Sequence, residues 1–225
     1  MEISNRKDRV PEIQSMSKSH VRLYATCGVV APIFFTLMVI IEGFMVTGYN
    51  HMTQQMSDLG AYALYGSKAL LQNLNFTVFG ILIVTFALGL NQQLPSLRST
   101  TVTLALFGII FFLLGFFPDE PTPWPAAAHY LLAWTSGVLI FLSILFTWRR
   151  LRKPIRDEDV GWTGYGRFSL VILVLGIISY VLFGVFGQPG SPVEGLLQRV
   201  SFIFLFLWIE AMAIKLLQSS RSRQS

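Results

Sequence analysis

Long apolar runs separated by short polar stretches dominate the chain. A helix needs about 20 mostly apolar residues to cross a hydrocarbon core roughly 30 Å thick, because each residue rises about 1.5 Å. Six runs meet that requirement: 23–46, 69–91, 99–117, 127–148, 168–187 and 200–217. None alternates apolar with polar residues as a barrel strand would, and lipid cannot satisfy an open backbone, so helices are predicted throughout. The pattern therefore predicts an all-α polytopic membrane protein with six transmembrane helices in one bundle. It divides into an N-terminal segment 1–22, a membrane domain 23–217 and a tail 218–225.

Charge orients the bundle. With both termini placed in the cytoplasm, all of the 17 lysines and arginines except Lys68 and Arg199 fall on the cytoplasmic side, the bias expected of a correctly oriented membrane protein. A plasma-membrane protein of a prokaryotic cell, with both termini cytoplasmic, is the expected location. The inner connection 149–166 is basic, then briefly acidic at Asp157 to Asp159, then glycine-rich, and reads as a solvated topogenic loop. The outer connection 47–68 is the longest and suggests a short interfacial helix over 52–65. The outer connection 118–125 holds Pro118, Pro121, Pro123 and Pro125, which predicts an extended, rigid turn.

Composition agrees. The 225 residues are 53% hydrophobic and only 13% charged, with a mean hydropathy of +0.57, whereas soluble domains carry about 25% charged residues. The single cysteine, Cys27, lies in the first run and excludes an intrachain disulfide. Residues 1–20 lack the apolar core of a cleavable signal peptide, so the first span is expected to be retained. A net charge of +5 does not imply nucleic acid as a partner, because no basic stripe with interleaved aromatics accompanies it. Trp124, Tyr130, Trp148, Trp162 and Tyr165 lie near span ends and read as an interfacial belt.

Polar groups inside spans are costly and mark candidate sites. Here they gather at the predicted outer ends: Glu42 in the first span, Gln72, Asn73 and Asn75 opening the second, and Asp119 and Glu120 after the third. His129 starts the fourth, and Gln198 and Arg199 start the sixth. His51, Ser57 and Asp58 lie in the outer connection. Glu210 is the only acid of the inner half, about 16 Å below Arg199 along one helix. The apolar stretch 202–208 between them argues against a transport path.

Three chemistries fit this set. Imidazole with carboxylates, His129 with Asp58, Asp119 or Glu42, is a plausible metal set, although no H-x-x-x-H or H-E-x-x-H spacing accompanies it and the metal question stays open. A metal-free hydrolase would use Ser57 as nucleophile, His129 as base and an acid to orient it. A lipid-headgroup site would use Arg199 for phosphate and Asp58 or Glu42 for an amine. Against these stand structural roles: Ser57 as a helix cap, Arg199 paired with Glu42 or Asp58, and Asn73 and Asn75 as interhelical hydrogen-bond donors worth about 0.6–2 kcal/mol each. Asn75-Phe76-Thr77 matches a glycosylation sequon but falls inside a span, where modification is not expected.

At these same residues the chain resembles a known family. Ile41-Glu42-Gly43, Ser57-Asp58-Leu59-Gly60, Gln72-Asn73-Leu74-Asn75-Phe76, Gly115-Phe116-Phe117-Pro118-Asp119, His129, and Gln198-Arg199 with Trp208 look like the bacterial and archaeal six-span proteins called domain of unknown function 998. The resemblance implies the six-helix fold and supplies no activity. A more distant similarity, on the Ser-Asp-x-Gly segment after the first span and a His opening the fourth, is to the eukaryotic DRAM/Sfk group. Its members are tied to lipid-anchor remodelling and lipid organisation.

The reading that results is an outward-facing polar pocket built from Glu42, Ser57, Asp58, Asn73, Asp119, His129 and Arg199. Its expected partners are membrane lipids and a lipid or lipid-linked substrate in the outer leaflet. In a catalytic version, hydrolysis or acyl transfer, His129 is base or metal ligand and Asp58 or Asp119 its partner. Glu42, Ser57, Asn73 and Arg199 then bind the ligand. The competing reading is a non-enzymatic scaffold or accessory subunit in which the same residues clamp helices together.

Overall fold

A computed structural model describes residues 18–153 and 161–222, with side chains over 20–153 and 161–219. The basic residues Arg6, Lys7, Arg9, Arg156 and Arg223, and Asp157 to Asp159, lie outside the described residues. Six long helices carry the fold: α1 (Lys18–Met45), α2 (Ala69–Gln93), α3 (Arg98–Leu114), α4 (Pro123–Leu151), α5 (Thr163–Phe186) and α6 (Glu194–Ser222). All six contain stretches long and apolar enough to cross a membrane. Among the described residues there is no strand.

The helices pack in chain order, each against its predecessor, and α6 closes against α1. The result is a ring with one end facing the chain termini and a distal end that carries the connections α1–α2, α3–α4 and α5–α6. Leu37, Leu131, Val138, Val171, Ile178 and Ile203 are exposed on the outside of the ring. Apolar patches this extensive on a monomer mark contact with another apolar phase, here lipid.

Lipid gives no hydrophobic drive between helices, so close packing and interhelical hydrogen bonds must hold the ring. At the α2–α3 seam, a Cβ built on Gly108 would stand 2.9 Å from the carbonyl oxygen of Gly80, so only small residues let these backbones approach so closely. Across the middle of the ring, Phe35 of α1 lies 5.2–6.2 Å from Phe76, Phe79, Phe111, Phe202 and Phe206. Ring pairs of this kind contribute about 0.5–1.5 kcal/mol each beyond their buried area. Nearer the termini, Thr100 meets Thr147 at 3.0 Å, tying α3 to α4. Trp208 donates to Ser169 at 3.0 Å, and Tyr165 donates back to the Trp208 carbonyl at 2.6 Å, tying α5 to α6.

Three expectations change. Trp162 and Tyr165 are buried rather than interfacial, because Tyr165 bonds α6 and Trp162 lies 5.3 Å under the Lys215 ammonium. The proline-rich turn is shorter than 118–125, since Pro123 begins α4; a first-turn proline loses no helical bond and its φ is already set. The outer connection forms three short pieces, a 3-10 turn Ser57–Gly60, a helical turn Tyr62–Tyr65 and a second 3-10 turn Gly66–Lys68, rather than one helix over 52–65.

Candidate functional site

The distal connections are fastened down by side chains that the sequence keeps far apart. Gln55 donates to Glu194 Oε1 at 2.6 Å and accepts from Gln198 Nε2 at 2.8 Å, while the amide of Met56 donates to Gln198 Oε1 at 2.6 Å. The Arg199 guanidinium donates to the carbonyls of Gln54 (3.0 Å) and Gly195 (2.8 Å), to the Tyr49 hydroxyl (2.5 Å) and to His51 Nδ1 (3.1 Å). It also lies 5.8 Å over the Tyr49 ring. A guanidinium has no acceptor, so His51 Nδ1 must be the lone-pair nitrogen. Burial and the Arg199 charge hold His51 below its ordinary range. Burial pushes the Tyr49 phenol up to about 12, with Arg199 opposing.

This geometry answers the Arg199 question: its fork is occupied by the 49–54 segment, and neither the Glu42 nor the Asp58 carboxylate is among its hydrogen-bond partners. Asn73 has a similar structural duty. Its Nδ2 donates to the Gly60 carbonyl at 3.0 Å, and a Cβ at Gly60 would stand 2.6 Å from its Oδ1. Asn75 donates to the Phe35 carbonyl (3.1 Å) and to Gln72 Oε1 (3.1 Å), joining α2 to α1. Glu42 is 2% exposed, and neither of its carboxyl oxygens has a hydrogen-bond partner. It belongs to the buried part of α1 and makes no hydrogen bond to the groups around Arg199.

A second group stays open to chemistry. His129 Nδ1 lies 2.8 Å from the Phe117 carbonyl, an acceptor only, so this nitrogen carries the proton. Its Nε2 is thereby turned toward Asp119 Oδ2, 3.9 Å away. Asp58 accepts from the Gln55 amide at 2.9 Å. Burial pushes its carboxyl up to about 7; the neighbouring Asp119 carboxylate adds to the rise and the Gln55 amide opposes it. Glu120 is otherwise engaged, accepting from the amides of Tyr62 (2.8 Å) and Ala63 (3.1 Å).

Two hollows meet at this group. Asp58, Asp119 and Tyr130 line a distal crevice of about 310 Å³. Ser57, His129, Gln55 and Gln198 form the polar roof of a cavity of about 350 Å³ inside the ring, whose floor is Phe35 and Phe111. Tyr130 borders both. Ser57 does not cap its 3-10 turn. Its hydroxyl makes a long 3.4 Å bond to Gln55 Oε1 and none to His129, so a serine–histidine dyad is not assembled. Among the described residues no three histidine, cysteine or acidic side chains converge on a point where they could hold a metal.

Sequence reading found His129, Asp58, Asp119 and Ser57, and the structure brings them to one end of the ring. It missed Tyr49, Gln54, Gln55 and Glu194 as fasteners, and the cavity itself. Gln54 and Gln55, two adjacent amides in a mildly apolar connection, were the available signal.

No curated protein and no solved structure matches the chain, so the DRAM/Sfk likeness gains no support. A family model matches residues 29–215. That span runs from α1 to the body of α6 and includes every residue of the distal group. The chain therefore belongs to the family described as protein of unknown function DUF998.

Proposed function

We propose that this protein recognises a lipid or lipid-linked group from the outer leaflet of the plasma membrane, holding its apolar part in the ring and its polar part at the distal roof. The observation that carries this reading is the make-up of the cavity: mostly apolar walls that include Phe35, Phe76, Phe107 and Phe111, with amide, hydroxyl and imidazole groups gathered at the roof and Ser136 and Tyr180 on the α4 and α5 walls. Ligand pockets characteristically combine apolar walls with a few convergent polar groups. The charge bias along the sequence supports placing the distal end outside. Binding is favoured over catalysis, because Ser57 and His129 do not touch. Were a chemical step to occur, His129 Nε2, with its other nitrogen pinned by Phe117, is the group fitted to take a proton, with Asp119 beside it. Arg199 and Asn73 serve as clamps in this reading, not as ligand groups.

Native mass spectrometry of the purified protein beside an Ala133→Phe variant tests it. Ala133 lines the cavity and touches none of the polar roof bonds described above. A bound lipid in the wild type that is absent from the folded variant is the expected result. Identical lipid adducts on both proteins would sink the reading and return the scaffold alternative to first place.

A further inference from the structure

The cavity wall is uneven in a way that indicates how it is reached. Its lining residues on α1, α2 and α3, among them Phe35, Phe76, Phe107 and Phe111, are buried from the outside of the ring, as is Leu205 of α6, whereas Phe202 of α6 is half-buried. The more exposed lining residues lie on α4, on α5 and in the α5–α6 connection that follows it, where Gln188 and Pro189 are exposed. Trp134 of α4 lines the cavity yet is 52% exposed, and Tyr130, one turn above, is 41% exposed. Facing them on α5, Phe183 and Gly184 also line the cavity and are partly exposed. Residues that belong to both an inner cavity and an outer surface mark where the wall is thin.

The packing of the α4–α5 seam agrees. A Cβ built on Gly184 would find a single neighbour within 4 Å, Cη2 of Trp134 at 3.8 Å. At the α2–α3 seam, by contrast, backbone meets backbone. One turn further from the distal end, Tyr180 stands perpendicular to the Trp134 ring with centroids 5.3 Å apart. Further from the distal end the seam is tight, with Gly137 against Tyr180 and Gly176 against Phe141, but at the level of Gly184 the Trp134 ring fills it, and rings change rotamer far more readily than helices separate.

The distal end offers a poorer route. There, beside the exposed Gln188 and Pro189 of the α5–α6 connection, the roof is held by the Gln55–Gln198 bond, the Met56–Gln198 bond and the Arg199 clamp. A hydrocarbon chain arriving from that side would cross water and break them. A chain arriving through the α4–α5 seam stays in an apolar environment throughout, because the seam faces the bilayer.

We infer that the cavity opens sideways between α4 and α5, past Trp134 and Gly184, and admits a single hydrocarbon chain from the surrounding leaflet. The inference rests on the lipid-binding reading and deepens it by naming the class of ligand, a one-chain amphiphile, and its path. A volume of about 350 Å³ lies at the small end of the ~300–1,000 Å³ usual for ligand pockets, which suits a single chain. The head of such a lipid stops at the roof, within reach of His129 Nε2.

The test uses the full chain in nanodiscs and a single-chain probe, lysophosphatidylglycerol with a deuterated oleoyl chain. Native mass spectrometry reads both the amount bound and the rate of exchange with unlabelled probe. Gly184→Phe narrows the seam and is expected to slow exchange about tenfold, read as a rate per bound molecule so that a change in occupancy does not enter; effects on one complex usually appear in rates of this size. Trp134→Ala widens the seam and is expected to speed exchange, so a folding failure of the first variant leaves the second to decide. Unchanged exchange in the folded variants, with the probe bound, overturns the sideways route. If the wild type binds no probe, the lipid reading itself fails.

Discussion

Arg199 and Tyr49, 150 residues apart in sequence, are joined by a 2.5 Å hydrogen bond and a guanidinium stacked 5.8 Å over the phenol ring. The same fork reaches two backbone carbonyls and His51. A lysine ammonium, a point charge on a flexible stem, cannot reproduce four divergent contacts. Arg199→Lys is therefore expected to lose about 1.5–3 kcal/mol, the range for hydrogen bonds to a charged group. Thermal unfolding in detergent reads the loss, and hydrogen exchange should show faster exchange confined to amides 50–56. Uniform loss of protection across all helices would contradict a local clamp.

Asp58 gives the protein a predictable pH response. Its folded pKa near 7 exceeds the ordinary carboxyl value of about 3.9, so between these values the folded state binds more protons than the unfolded state. Its contribution to stability is then fully present below about pH 4 and is lost as pH rises through about 7. Asp58→Asn keeps an acceptor for the Gln55 amide and removes the titration. The melting temperature of the variant relative to wild type should rise from pH 4 to about 7.5 and then level off. A constant difference across that range would contradict the assignment.

Glu42 is buried with neither oxygen partnered. As an ion it would cost several kcal/mol without compensation, whereas a glutamine of the same shape carries no such penalty. Glu42→Gln should raise the melting temperature. A lowered value would contradict an uncompensated carboxylate at this position.

At Gly60 the constraint is steric. A Cβ would meet Asn73 Oδ1 at 2.6 Å and displace the amide that holds the Gly60 carbonyl. Gly60→Ala should cost about 1–3 kcal/mol, the penalty for leaving a buried polar group unmade. Asn73→Ala in the same background should add little, because the two changes break one bond. A fully additive double variant, read from unfolding, would separate the two positions.

His129→Gln distinguishes pinning from chemistry. A glutamine amide can replace the Nδ1 donor to the Phe117 carbonyl but supplies no basic nitrogen toward Asp119. Stability close to wild type is expected, together with loss of any activity that rises as an imidazole deprotonates. If stability falls as far as in His129→Ala, the ring itself is being used for packing, against Phe76 at 6.3 Å.

The six helices were legible because apolar length is a local property. The start of α6 was not: hydropathy placed it at 200, and the helix begins at Glu194, because Glu194, Gln198 and Arg199 turn their polarity toward the 49–56 segment rather than toward lipid or water. The same cause hid the clamp. Arg199 resembled a phosphate ligand as long as its distant partners, Tyr49, His51 and the Gln54 carbonyl, could not be seen across more than 140 residues. Trp162 and Tyr165 misled for the opposite reason: their position near a span end suggested an interface, while their hydrogen-bonding and cation partners were on α6. The distal gathering of His129, Asp58 and Asp119 was visible because helix ends share depth, a relation that survives without knowing which helices touch.

The closure of α6 against α1 has a consequence for biogenesis. A ring assembled in chain order has no interior until its sixth helix arrives, and until then the polar side of the 49–56 segment and the inward face of Phe35 lack their final partners. During synthesis, five inserted helices would form an open arc with a sticky edge at each end. Arrival of the sixth both seals the arc and latches the distal segment through Arg199. One late event thus separates finished molecules from unfinished ones.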